Sequence, residues 1–115
     1  MRVGTHRTFI ATYMMASRRN GAIYTGMTSN LTARVWKHRN GLLDGFTKRY
    51  GCTRLVWFQR FAWVTEAIRR EKQIKEWKRD WKLALIEKDN PDWRDLADDW
   101  FPENDPNWVP PNEPD

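Results

Sequence analysis

The sequence predicts an α+β domain, sandwich-like in its layering, in which a small three-stranded antiparallel sheet is flanked by helices. One observation behind this is the order of short apolar runs and stretches with helical spacing: strand, turn, strand, helix, basic loop, strand, helix. The other is the Asn20–Gly21 pair between the first two runs, which is typical of a tight turn in an antiparallel hairpin. At 115 residues, the chain has the length of one domain with a modest core.

Three short segments are expected to form the sheet. Residues 9–16 and 22–27 read as the two hairpin strands, and residues 55–61 read as the third strand, because strand-forming residues dominate each run. Gly26 lies inside the second strand, where a glycine indicates either a bulge or a close approach of another group to the backbone.

A first helix is expected over residues 31–39, after a cluster of capping residues at 28–30 and before Asn40–Gly41. Arg34 and His38 fall along its apolar side. Each has an ordinary structural explanation: an arginine whose stem lies on the surface, and a half-buried histidine with a hydrogen-bond partner. Taken singly, those explanations are favoured.

The stretch from Val64 to Trp81 predicts a long helix, with Thr65 as its N-cap and apolar residues at spacings of three and four. Residues 80–88 are also helical in character and either continue this helix or follow a break at Asp80. Glu71 falls within this apolar series, where a carboxylate is costly unless it is paired or binds a cation. It is therefore a member of a structural ion pair, a carboxylate at the edge of the apolar stripe that reaches solvent, or a metal ligand. The flanks of the helix are strongly basic and include Arg70 and Lys75.

A Gly-rich loop over residues 41–53 carries Lys48, Arg49 and Tyr50, which fit contacts with phosphates and a base, although a plain surface loop is an equal alternative. A last short helix is expected over residues 91–100. Residues 101–115 are acidic and Pro-rich, and we expect them to be extended or disordered. Residues 1–8 are polar and are expected to be flexible.

The charge is unevenly distributed along the chain. Residues 1–90 carry 19 Lys and Arg against 7 Asp and Glu, a formal charge of +12, whereas residues 91–115 carry one Arg against eight acids. A domain this basic is a candidate for binding a phosphate backbone. The acidic end is either a solubilising segment or a competitor for the basic surface. One cysteine, no signal peptide and no long apolar run favour a cytoplasmic protein that does not use a membrane.

Five polar residues are expected on inward faces, in the order Tyr13, Tyr24, Arg34, His38 and Glu71. Together with the tripeptides that contain the two tyrosines, this ordered set resembles the GIY-YIG nuclease superfamily, and within it the small standalone bacterial members, over about residues 9–100. The first signature tripeptide falls on residues 11–13 (ATY) and the second on residues 24–26 (YTG). Met27 stands where excinuclease-type relatives carry Lys. The matched site residues are Tyr13, Tyr24, Arg34, His38 and Glu71.

This resemblance implies the GIY-YIG endonuclease fold and metal-dependent hydrolysis of DNA, with Mg²⁺ (or Mn²⁺) held by Glu71. It implies that Arg34 stabilises the phosphoryl charge and that a tyrosine, either Tyr13 or Tyr24, takes a proton from water, with His38 assisting. Repair, recombination or processing of branched, damaged or single-stranded DNA are the roles it implies. Two other classes stay open: a nucleic-acid-binding domain with weak or no catalysis, and a basic protein-interaction domain. The residues expected to contact DNA are Lys37, Lys48, Arg49, Tyr50, Arg70 and Lys75.

Overall fold

The computed structural model describes residues 9–103 and 106–111, which form three strands and four helices. The strands are β1 (Ala11–Ala16), β2 (Ile23–Thr28) and β3 (Arg54–Arg60). The helices are α1 (Leu31–Arg39), α2 (Phe46–Tyr50), α3 (Val64–Lys75) and α4 (Arg79–Asp89).

The sheet is antiparallel throughout, with β1 in the centre and the order β2-β1-β3. The hairpin predicted at Asn20–Gly21 is confirmed, because Asn20 has a φ of 58° and Ser17 N donates to Ala22 O at 3.1 Å. The predicted fold class, an α+β domain with three antiparallel strands and flanking helices, is therefore confirmed.

Each face of the sheet has its own apolar core, because side chains of β1 alternate between the two faces. On one face Tyr13 and Met15 pack with residues of α1. On the other face Met14 and Ala16 pack with residues of α3 and α4. The sheet is thus a middle layer with helices on both sides, which agrees with the sandwich-like layering that the sequence predicts.

Helix α1 begins as its sequence predicts. The side-chain Oδ1 of Asn30 accepts a hydrogen bond from Ala33 N at 3.1 Å, and this satisfies one of the backbone donors at the start of the helix. The helix ends at Arg39, and Asn40 caps it through its backbone N–H. The predicted bounds and the observed bounds are the same.

The prediction of one helix from Val64 to Trp81 is wrong. Helix α3 ends at Lys75, and α4 begins at Arg79, with Trp63 rather than Thr65 at the N-cap position of α3. Tertiary contacts explain the break. The guanidinium of Arg79 donates to the backbone oxygens of Asn20 (3.0 Å) and Gly21 (2.7 Å), which ties the start of α4 to the hairpin turn. Trp81 is consequently 58% exposed instead of buried.

The short helix predicted over residues 91–100 is also wrong, because this segment forms turns. Trp93 has a φ of 57° and is fully buried with the α3 and α4 side of the sheet. Leu96 and Trp100 pack against the opposite core. The three side chains therefore do not share a face, and the segment crosses from one side of the sheet to the other.

Asp95 and two aromatic residues attach the C-terminal segment to the rest of the domain. The carboxylate of Asp95 accepts from Leu55 N at 3.1 Å and pairs with the guanidinium of Arg39. Phe101 and Trp108 pack on the ring of Trp36, with centroid distances of 5.3 and 5.0 Å. These parts of the acidic segment lie on α1, and residues 1–8, 104–105 and 112–115 lie outside the described residues.

Cys52 is fully buried in the core on the α1 side. Burial raises the pKa of its thiol, so the group stays neutral at ordinary pH and behaves as a small apolar side chain. Within residues 9–103 and 106–111, no helix combines the length and the apolar character that crossing a bilayer requires.

We predict that Asn90→Ala lowers the free energy of unfolding by about 3 kcal/mol. The buried amide of Asn90 donates to Val56 O (3.1 Å) and Arg94 O (2.9 Å) and accepts from Arg94 N (2.9 Å), so alanine leaves several buried groups unpaired. Urea denaturation measures the change. Asn40→Ala is the matched control: it removes one exposed hydrogen bond, to Trp36 O, and should cost less than about 1 kcal/mol. Equal losses in the two variants would contradict the prediction.

Candidate active site

Tyr13 lies at the centre of the candidate site, on the central strand, with no exposed surface. Its hydroxyl and His38 Nε2 share a hydrogen bond of 2.7 Å. The other ring nitrogen, His38 Nδ1, lies 2.9 Å from Thr47 Oγ1. Either tautomer of the imidazole satisfies this chain of contacts, since both hydroxyls donate or accept. The chain joins β1, α1 and α2.

Gly26 makes room for the phenol of Tyr13. The two residues are paired across β1 and β2, and a Cβ at position 26 would lie 2.7 Å from Tyr13 Oη and 2.8 Å from Tyr24 Cε2. Of the two alternatives predicted from the sequence, the close approach is confirmed. The pairing of β1 with β2 has no register shift, and the irregularity lies instead between Met14 and Met15 in the pairing with β3.

Tyr24 completes an aromatic cluster at the outer edge of the sheet. Its ring centroid lies 6.2 Å from that of Tyr13 and 5.5 Å from that of His38. Unlike the fully buried Tyr13, Tyr24 is half-buried on the edge strand β2. The structure therefore brings both predicted tyrosines and the predicted histidine together, and Tyr24 is the tyrosine that solvent reaches.

A cavity of about 200 Å³ adjoins this cluster. Arg34, half-buried on α1, lines it beside Tyr24 and His38, so the polar residues that the sequence placed on the apolar side of that helix do converge. The remaining wall comes from the segment that leads into α2. The lining residues are Tyr24, Arg34, His38, Leu43, Asp44, Phe46 and Thr47.

Glu71 approaches the cluster from the other face of the sheet. Helix α3 is attached there through Thr12 Oγ1, which donates to Ala67 O at 2.7 Å. The carboxylate of Glu71 is 18% exposed, and its Oε2 lies 2.9 Å from Lys75 Nζ. The same ammonium lies 5.7 Å from the ring centre of Tyr24. Among the described residues, Lys75 is thus the side chain seen to link Glu71 with the tyrosine cluster.

Glu71 supplies a single carboxylate at the position where the resemblance implies a metal ligand. In the part of the chain that the structure describes, no group of three or more His, Cys, Asp or Glu side chains is placed to hold a metal. Mg²⁺ keeps several waters and takes as few as one or two protein carboxylates together with substrate phosphate. The carboxylate oxygen Oε2 is paired with the ammonium of Lys75 at 2.9 Å.

The residues expected to contact DNA are spread over three surfaces. Lys48, Arg49 and Tyr50 lie together and exposed on α2, beside the cavity. Lys37 is half-buried on α1. Arg70 lies toward β3, the opposite edge from Tyr24, where its Nε donates to Gln59 Oε1 at 3.1 Å. The structure therefore groups the α2 residues and Lys75 near Tyr24, and directs Arg70 away from it.

Sequence reasoning missed Thr47 and Phe46, because it treated residues 41–53 as a loop. Both residues line the cavity, and Thr47 is the partner of His38 Nδ1. A signal for a short helix was present in Gly51, which has a φ of 65° and ends α2 as a left-handed cap. A glycine in this role is the commonest way for a helix to end.

The geometry defines a class of protein: a three-stranded sheet that gathers two tyrosines, an arginine and a histidine at one edge. The model of the GIY-YIG catalytic domain matches residues 9–84, and the chain therefore belongs to the GIY-YIG family of nucleases.

Its relatives include proteins that carry the name UPF0213. One from Staphylococcus epidermidis is 37% identical over 68 residues, which are 59% of this chain and 83% of the relative. Another, from Clostridium perfringens, is 42% identical over 65 residues, which are 56% of this chain and 70% of the relative. The solution NMR structure of a UPF0213 protein from Bacillus halodurans is 26% identical, with a TM-score of 0.48, covering 78% of this chain and 96% of that one.

We predict that Gly26→Ala displaces the tyrosine rings and lowers the free energy of unfolding by about 2 kcal/mol, because the added methyl group clashes with Tyr13 and Tyr24. Urea denaturation gives the energy, and NMR signals of the His38 and Tyr13 rings report the displacement. Gly41→Ala is the control. Its φ is +64° and nothing lies within 4 Å of the new Cβ, so it should cost about 1 kcal/mol of backbone strain and leave the ring signals unchanged. Unmoved ring signals in Gly26→Ala would refute the clash.

Proposed function

We propose that this protein is a metal-dependent endonuclease that hydrolyses DNA phosphodiester bonds. The observation that carries the proposal is the convergence of Tyr24, His38 and Arg34 on one cavity, with the Tyr13 hydroxyl hydrogen-bonded to His38. Cytoplasmic DNA repair, recombination or processing is the setting we propose, with little reading of base sequence, because the basic residues suit contacts with the backbone.

Glu71 is the residue that we propose holds the ion, Mg²⁺ or Mn²⁺. When bound, such an ion polarises the scissile phosphate and stabilises the charge on the leaving oxygen. The ion pair with Lys75 involves the carboxylate oxygen Oε2 of Glu71, and Lys75 is half exposed, so its ammonium has space to move toward solvent.

Arg34 and the tyrosines carry the remaining chemistry in this proposal. The guanidinium of Arg34 neutralises charge that grows on the phosphoryl oxygens. Tyr24, as its phenolate, takes a proton from water, the water oxygen attacks phosphorus, one P–O ester bond breaks, and the leaving oxygen takes up a proton from solvent, to which Tyr24 then returns its own. We assign the base to Tyr24 rather than Tyr13 because it is half-buried and lines the cavity, whereas Tyr13 is fully buried.

Tyr13 and His38 have positioning roles in this scheme. The Tyr13 hydroxyl is hydrogen-bonded to His38, which in turn contacts Thr47, and this chain holds the rings that pack around Tyr24. Lys75 lies over the Tyr24 ring and supplies positive charge beside a phenolate. Backbone phosphates on either side of the cavity would contact Lys37, Lys48, Arg49, Tyr50 and Lys75, whereas Arg70, at the opposite edge of the sheet, would contact the DNA backbone farther along.

A second candidate, a nucleic-acid-binding domain with weak or no catalysis, is favoured by one observation. Glu71 forms an ion pair with Lys75 at the i, i+4 spacing that commonly stabilises helices, and this contact gives the carboxylate a structural role that needs no metal ion. The two candidates differ in one result: with Mg²⁺ or Mn²⁺, the nuclease nicks supercoiled plasmid, and the binding domain shifts its mobility without nicking it.

We predict that Glu71→Gln binds DNA with nearly the wild-type affinity and loses metal-dependent nicking by a factor of about 10³, because an amide is a poor Mg²⁺ ligand. Plasmid nicking and titration of Mn²⁺ by electron paramagnetic resonance measure the two effects. Glu66→Gln, in the exposed first turn of the same helix, should leave both unchanged. Full nicking by Glu71→Gln would remove the metal role from this residue.

We predict that Arg34→Ala lowers the cleavage rate at saturating DNA by about 10²- to 10³-fold, while the affinity for DNA falls only a few-fold. The physical reason is that the guanidinium faces charge that develops during the reaction. Arg49→Ala, on exposed α2, should show the reverse pattern: weaker binding with a shallower salt dependence, and an unchanged rate at saturation. Equal losses of rate and affinity in Arg34→Ala would make it a backbone contact only.

A further inference from the structure

Helix α2 presents two adjacent aromatic rings to solvent, inclined at 44° to each other. Phe46 is 43% exposed and Tyr50 is 49% exposed, and their ring centroids lie 4.7 Å apart. Of its five side chains only that of Thr47 is buried, so the helix is held to the domain by its hydrogen bond to His38 and turns the rings outward. The core does not need these rings, since neither lies among its buried residues.

Positive charge accompanies the rings. The guanidinium of Arg49 lies 5.6 Å from the centre of the Tyr50 ring, within reach of a cation–π contact. Lys48 is exposed and lies 3.6 Å from the fully solvated Asp44, a pairing that is weak in water. Aromatic faces interleaved with cations are the features by which proteins hold single nucleic-acid strands.

The ring pair is continuous with the candidate active site. An open hollow of about 680 Å³ runs over α2, lined by Asp44, Gly45, Phe46, Lys48, Arg49 and Tyr50. Asp44 and Phe46 also line the 200 Å³ cavity that holds Tyr24 and Arg34. The ring of Phe46 lies 6.3 Å from that of Tyr24. Three rings therefore lead outward from the place where the scissile phosphate is proposed to lie.

We propose that α2 is a base-stacking subsite, in which Phe46 and Tyr50 receive an unpaired nucleobase next to the phosphate in the cavity. A ligand that fills both hollows must carry a phosphate and, close to it, a planar aromatic group. A nucleotide has both. A base inside a duplex has its faces covered by its neighbours, so the subsite selects a base that is out of the stack. This proposal rests on the proposed function only in assigning the phosphate to the cavity.

The test compares two short single strands of about eight residues that carry the same phosphates. One is oligodeoxyadenylate, and the other is a chain of abasic deoxyribose units. Binding is measured by fluorescence anisotropy in EDTA, where no cleavage occurs. We expect wild type to bind the adenine strand about tenfold more tightly than the abasic strand. In Tyr50→Leu and in Phe46→Leu, that ratio should fall at least threefold, because leucine keeps an apolar side chain and removes the π face.

Leu42→Ala is the matched control. Leu42 is an exposed apolar residue that precedes α2 and lines neither hollow, so this variant should keep the wild-type ratio of affinities for the adenine and abasic strands. Affinity for blunt duplex should be unchanged in Tyr50→Leu. A wild-type ratio near one, or an unchanged ratio in Tyr50→Leu, overturns the subsite. Because binding is measured without metal, its outcome is separate from that of the plasmid-nicking assay. If wild type prefers the adenine strand but does not nick plasmid, the subsite is supported and the nuclease is refuted. If it nicks plasmid but binds the two strands equally, the nuclease is supported and the subsite is refuted.

Discussion

The hydrogen bond between Tyr13 and His38 is the contact on which the candidate site depends. It is buried, it joins the central strand to α1, and through Thr47 it extends to α2. Buried polar groups are costly when they lack partners, so the three elements that this chain connects are held in one arrangement. Gly26 is the corresponding constraint on space, since the phenol occupies the volume that any side chain at that position would need.

The site draws its groups from both faces of a very narrow sheet. Tyr13 and Tyr24 face α1, whereas Glu71 comes from α3 on the opposite face, and Lys75 lies between them at the β2 edge. The position of the carboxylate relative to the tyrosines is consequently set by how α3 docks on the sheet. Because the sheet is small and its β2 edge is accessible, side chains from helices on opposite faces can lie near each other at that edge.

Elements whose signals are local could be predicted from the sequence: the Asn20–Gly21 hairpin, the Asn30-capped helix and the close approach at Gly26. A break near the start of α4 was one of two alternatives in the sequence, and the choice between them depends on Arg79, which bonds to a turn almost sixty residues away. The buried Trp93 in a left-handed conformation is likewise a tertiary effect that overrides helical spacing. In the site, residue types at inward positions identified Tyr24, Arg34 and His38 as neighbours. The position of Glu71 relative to them depends on how α3 docks on the sheet, which local spacing does not determine.

The carboxylate of Asp95 holds β3 and α1 at the same time, and it lies outside the span that the family model matches. A fragment trimmed to residues 9–84 would therefore leave the Leu55 amide and the Arg39 guanidinium without this partner, and would uncover the core beneath Trp100. The match to the family model ends at residue 84, whereas residues that complete the folded domain continue at least to Trp100. Chimaeras built by grafting this domain onto another protein need to carry the C-terminal segment that contains Asp95 and Trp100.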